Sequence, residues 1–122
     1  MKKSRREFFK GHDGPTNDPE LLAEEVSLAR CELDVTLESD KRRWPKDSFD
    51  RFVNAVMRYS EVMEGSQLIH RSVAAEVSGA REYLELQGNR VPGSALAEAD
   101  RLEVILFSGY DPHFEGPEPP GY

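Results

Sequence analysis

Apolar positions along the chain recur with the period of a helix rather than that of a strand. Leu22, Val26, Ala29, Leu33 and Leu37 follow one another at steps of four, three, four and four, which places them on one face of an α-helix. Leu21, Leu28 and Val35 are expected to widen that face. The helix opens at NDPELLAEEV: Asp18 can accept from first-turn amides, Pro19 fits the first helical position, and Glu20 favours the positive end of the dipole. Pro45 closes the segment, because a residue before proline, here Trp44, is pushed out of the helical region.

A second run starts near Asp47 or Ser48 and extends toward Leu86. Phe49, Phe52, Val56, Tyr59 and Met63 form its first stripe, and Val73, Val77, Ala80 and Leu84 form another at the same period. MEGSQLIH lies between them. Gly65 followed by Ser66 favours a break or kink there, with one long weakened helix over 48–87 as the other reading. Gly88 and Asn89 end the run, and NRVPGS reads as a turn. The last helix, about 95 to 107, carries Leu96, Ala99, Leu102, Ile105 and Leu106 and expects Ser94 as its cap, with Gly109 past its end.

These patterns predict an all-α fold, a small bundle of three to four amphipathic helices over residues 18–108. An extended basic, aromatic arm over 1–17 precedes it. A Pro/Gly-rich tail over 109–122 follows, with four prolines and three glycines in fourteen residues. A chain of 122 residues fits one domain.

Charge sharpens this picture. The net charge is −7, yet residues 1–10 hold five basic groups and one acid, 11–40 hold nine acids and one base, and KRRWPK restores positive charge around Trp44. Blocks of alternating sign either pair with each other or face separate partners. The acidic total counts against a generic nucleic-acid binder. The single Cys31 excludes an internal disulfide and a cysteine metal cage; mid-helix beside the apolar stripe, it is expected in the core. VILF is the longest apolar run, so no membrane insertion is expected.

The run SRREFFK resembles the charged region of twin-arginine signal peptides, with Arg5 and Arg6 as the pair and Phe9 where Leu is more usual. That resemblance implies export of a folded protein. A signal peptide continues into an apolar stretch, whereas GHDGPTNDPE contains no Leu, Ile, Val, Phe or Ala. The expected location is therefore cytoplasmic. At the other end PPGY, with Pro119, Pro120 and Tyr122, is similar to the P-P-x-Y ligand of WW domains, which implies a docked polyproline segment.

Catalytic chemistry finds little footing. Asp111, His113 and Glu115 alternate in DPHFE, but three ligands on a tail make a weak metal site without a fourth. His70 is expected on a helix at the edge of the core, with a backbone or water partner. It lacks the Glu-x-x-His pattern of diiron bundles. Glycine-rich phosphate loops, the G-x-S-x-G elbow and H-E-x-x-H do not occur. The expectation is a non-catalytic protein with no cofactor and no metal.

Arginines beside large aromatics have the composition of interface hot spots. The candidate partner-binding residues are Arg5, Arg6, Phe8 and Phe9 of the arm, Arg42, Arg43 and Trp44 of the turn, and Tyr110, Phe114 and Tyr122 of the tail. The reading is an accessory subunit or adaptor that binds a protein partner through arm and tail. The alternative is a nucleic-acid-binding regulatory or packaging subunit, in which the arm and the KRRWPK turn meet phosphates while aromatics stack on bases. The sequence is compatible with a homo-oligomer.

Overall fold

The computed structural model describes residues 17–39 and 43–109. Over these the chain forms four α-helices and no strand. They are α1 (Pro19–Ser39), α2 (Lys46–Val62), α3 (Arg71–Leu86) and α4 (Gly93–Ser108), with a short 3-10 turn at Gly88–Arg90 between the last two. α1 starts as its sequence dictates, with the Glu20 amide donating to Asp18 Oδ1 at 3.0 Å and the Leu22 amide to the Asp18 carbonyl at 2.9 Å.

The favoured break at Gly65 is present, and two boundaries differ from the sequence expectation. The segment from Met63 to His70 is a true break, with Gly65 in the left-handed region at φ 86°, so α2 and α3 are separate helices and the stripe loses Met63 to the C-cap. α2 begins at Lys46 because the Pro45 carbonyl already accepts from the Phe49 amide at 3.0 Å. α4 begins at Gly93, with Pro92 preceding it and its carbonyl taking the Ala95 amide, so Ser94 is inside the helix and is not its cap. The other end of α4 stops as expected at left-handed Gly109, whose amide donates to the Ile105 carbonyl at 2.9 Å.

α1 packs beside α2 and α3, and α4 beside α3 and α2. The chain therefore runs up and down with a diagonal step from α2 to α3, leaving α1 opposite α4. Ion pairs record the register. Glu25 meets Arg58 and Glu32 meets Arg51, seven residues on in α1 and seven back in α2, as antiparallel helices require. Arg81 joins Asp100 and Glu103 across α3 and α4.

The core fills the bundle in two clusters. Leu22, Val26, Phe52, Val56, Tyr59, Val73, Val77 and Leu102 pack together toward one end. Leu33, Leu37, Phe49, Leu84, Val91, Ala95 and Ala99 fill the other, and Val53 touches both. Val91 is buried although it lies in the turn between helices, because the 3-10 turn folds it back under α1 and α4.

Arg30 ties α1 to α3. Its guanidinium bonds to Asp34 at 3.0 Å and to the Glu76 backbone carbonyl at 2.9 Å, and it sits 5.9 Å from the Tyr83 ring centroid. Gly79 gives it room: a Cβ there would stand 3.0 Å from Arg30 Nη1. Gly79→Ala should gain about 1 kcal/mol in helix propensity but displace a guanidinium whose charged hydrogen bonds contribute about 1.5–3 kcal/mol. The expected net is destabilisation by about 1 kcal/mol alone and stabilisation of similar size in an Arg30→Ala background. A double-mutant cycle in urea reads this directly, and equal stabilisation in both backgrounds would refute the close approach.

Candidate partner-binding surface

Of the ten candidate partner-binding residues, Arg43 and Trp44 fall within the described residues. Arg5, Arg6, Phe8, Phe9, Arg42, Tyr110, Phe114 and Tyr122 lie outside them. The structure places Arg43 and Trp44 at the corner that leads into α2. Arg43 is exposed. Trp44 is half-buried, its ring tilted against Phe49 with centroids 5.2 Å apart, and it packs on the second core cluster.

That corner is fixed by local chemistry. The Lys46 amide donates to the Trp44 carbonyl at 2.9 Å. Lys46 Nζ meets Asp50 Oδ2 at 2.6 Å, one turn along α2, and this hydrogen bond, with the charge behind it, raises the lysine above its ordinary range. Beside Trp44 a shallow groove of about 340 Å³ is lined by Thr36, Arg43, Pro45, Lys46 and Asp47, with the buried Ser48 hydroxyl 3.2 Å from Thr36 Oγ1 at its floor. Trp44 thus presents a rigid edge with a guanidinium and an ammonium close by in sequence.

Three expectations about polar and apolar residues are corrected. Cys31 is exposed rather than in the core, since it lies on the side of α1 turned away from α2, α3 and the row from Leu22 to Leu37. Leu21, Leu28 and Val35 do not widen the buried face; they are 48%, 70% and 59% exposed. Leu21 and Leu28 each stand one position before a residue of the buried row, Leu22 and Ala29, which carries them about 100° around the helix and off its buried face. His70 is not helical; it precedes α3 in extended backbone. Its Nδ1 lies 2.7 Å from the Tyr59 hydroxyl, a side-chain partner.

Tyr83, on the opposite side of α1 from α2, donates its phenol to the Glu38 carboxylate. The hydrogen bond to Glu38, with burial and the same negative charge adding to it, pushes the phenol up to about 12 from 10.0. The protonated form is the one the fold favours. Its contribution to stability is therefore fully present below pH 10 and is lost as pH rises through about 12. Absorbance titration at 295 nm should show a late tyrosinate step that is missing in Tyr83→Phe and shifted to lower pH in Glu38→Gln. An unshifted step in Glu38→Gln would remove the carboxylate as the cause.

Among the described residues no group of three or more His, Cys, Asp and Glu side chains is placed to hold a metal ion, and no helix is long and apolar enough to cross a membrane. Comparison with known proteins finds no matching family model, no matching curated protein and no matching solved structure.

Proposed function

We propose that this chain is a non-catalytic accessory subunit or adaptor of a larger assembly, which binds a protein partner through its N-terminal arm, its C-terminal tail and the corner at Arg43 and Trp44. The observation that carries the reading is that corner. An aromatic ring already held by Phe49 loses little freedom on binding, and exposed Arg43 beside it supplies directional donors. The guanidiniums of Arg51, Arg58 and Arg81 are engaged in cross-helix pairs that set the register of the bundle.

The test is a pull-down with the full chain from its native host at low and moderate salt, with and without nuclease. A stoichiometric protein partner, indifferent to nuclease and lost with Trp44→Ala combined with Arg43→Ala, is the expected result. Nucleic acid that elutes steeply with salt and depends on Arg5, Arg6, Arg42 and Arg43, without a protein partner, would replace this reading with nucleic-acid binding.

A further inference from the structure

The outward face of α1 carries a row of apolar side chains that the bundle does not use. Leu21, Leu28 and Val35 are spaced by seven, and sevens drift by only about 20° on a helix, so the three stand in line. All are exposed, and Cys31 is exposed on the same side. Single exposed leucines need no explanation, but a row at heptad spacing along a helix of 21 residues is the half-seam that a second helix would complete. Beside Leu28 a groove of about 700 Å³ opens between α1 and α2, where Ala29 and Met57 share the lining with the ion-paired Glu25, Glu32, Arg51 and Arg58.

Charge decides what fits there. α1 carries six carboxylates against the one guanidinium of Arg30. On the α2 side of the row, Glu25 and Glu32 are met by Arg58 and Arg51, and the Arg51 hydrogen bond holds Glu32 below the usual carboxylate range. On the other side, next to Leu21 and Leu28, Glu24 is exposed and the Glu20 side chain is 84% exposed. The two flanks therefore differ: one is neutralised, the other is acidic. A second copy docking by the same face would set like charges together, and an anionic membrane surface or nucleic acid would meet carboxylates.

We infer that the outer face of α1 is a docking site for an amphipathic helix of a partner protein, with apolar residues at heptad spacing over Leu21, Leu28 and Val35 and a basic flank over Glu20 and Glu24. This site is separate from the corner at Trp44, so each stands or falls on its own variants. Binding would bury the row and shield Cys31, the only cysteine of the chain.

The probe is a fluorescent helical peptide of about three heptads with Leu at both seam positions, Lys on one flank and Gln elsewhere. Controls are the same peptide with Glu replacing Lys, and one with its leucines scrambled. Anisotropy with the full chain should show binding of the Lys peptide that weakens with salt. Leu28→Gln should weaken it about tenfold, Glu20→Gln with Glu24→Gln should remove the salt dependence, and Phe107→Ala, exposed on α4, should leave it unchanged. Bound peptide should slow alkylation of Cys31 by N-ethylmaleimide. Because Leu28 is outside the core, Leu28→Gln should keep the thermal midpoint of the parent, which separates lost binding from lost folding.

Other results would overturn the inference. Equal binding of the Lys and Glu peptides means unspecific apolar contact. A dimer in sedimentation that Leu28→Gln converts to monomer makes a second copy the occupant. Tighter peptide binding by an Arg5→Glu, Arg6→Glu variant makes the chain's own arm the occupant. Absence of binding by every peptide rejects the site.

Discussion

Phe52→Ala should destabilise the protein by about 3–5 kcal/mol, the loss expected when a fully enclosed aromatic ring is truncated in a packed core. Phe52 is 1% exposed and sits in the first core cluster with Leu22, Val56, Val77 and Leu102. The side chains around it come from helices that already cross-brace one another through Glu25 and Arg58, so the gap cannot close by moving one helix inward. Total stability of a domain this size is about 5–15 kcal/mol, which makes the loss a fifth or more of the whole. With a urea slope of about 1–2 kcal/mol per molar, the midpoint should fall by about 1.5 M or more at unchanged slope. Phe107→Ala is the matched control. Its ring is 53% exposed on α4, and its removal should move the midpoint by less than about 0.3 M. Equal shifts for the two would place Phe52 outside the centre of the core.

The sequence carried the helices because the features that begin and end them are local. Asp18 and Pro19 start α1, and Gly109 ends α4. The buried rows Leu22 to Leu37 and Val73 to Leu84 follow from spacing alone. Burial of individual positions did not follow. A leucine on a helix reports its chemistry but not which way it faces, and Leu28 stands 70% exposed while Leu33 is fully enclosed. Leu21 and Leu28 stand about 100° around the helix from Leu22 and Ala29, and widening the core was the simpler reading until neighbouring helices fixed which side is inside.

Long-range polar contacts were not legible either. Arg30 reaches the Glu76 carbonyl, and Arg90 reaches the Leu37 carbonyl at 2.7 Å, supplying a donor to the C-terminal end of α1 from 53 residues away. Neither partner has a sequence pattern, because a backbone carbonyl has no residue identity. Of the candidate site, composition pointed to the corner at Trp44, but the ring's commitment to Phe49 depends on how α2 meets the second core cluster. The break at Gly65 moved His70 off a helix and onto Tyr59, which no periodicity could have indicated.

That contact gives the second large effect. Tyr59→Phe should cost about 2–3 kcal/mol, although it removes one oxygen atom and leaves the ring volume intact. The Tyr59 hydroxyl accepts the His70 backbone amide at 2.8 Å and lies 2.7 Å from His70 Nδ1, with the two rings edge to face at 5.6 Å between centroids. A hydroxyl that accepts from the amide can still donate its single proton to the imidazole nitrogen, an arrangement in which the neutral ring carries its hydrogen on Nε2, toward Glu20 Oε2 at 3.9 Å. One enclosed hydroxyl thus holds both the backbone amide and the ring of the residue that precedes α3, and its loss leaves both without that partner. Urea unfolding measures the energy, and nitrogen chemical shifts of the His70 ring measure the tautomer, which should be single in the parent and mixed in the variant. A loss below about 0.5 kcal/mol together with an unchanged tautomer would mean that the hydroxyl does not hold the entry to α3, and that the loop from Met63 to His70 is anchored by Ile69 and its apolar contacts instead.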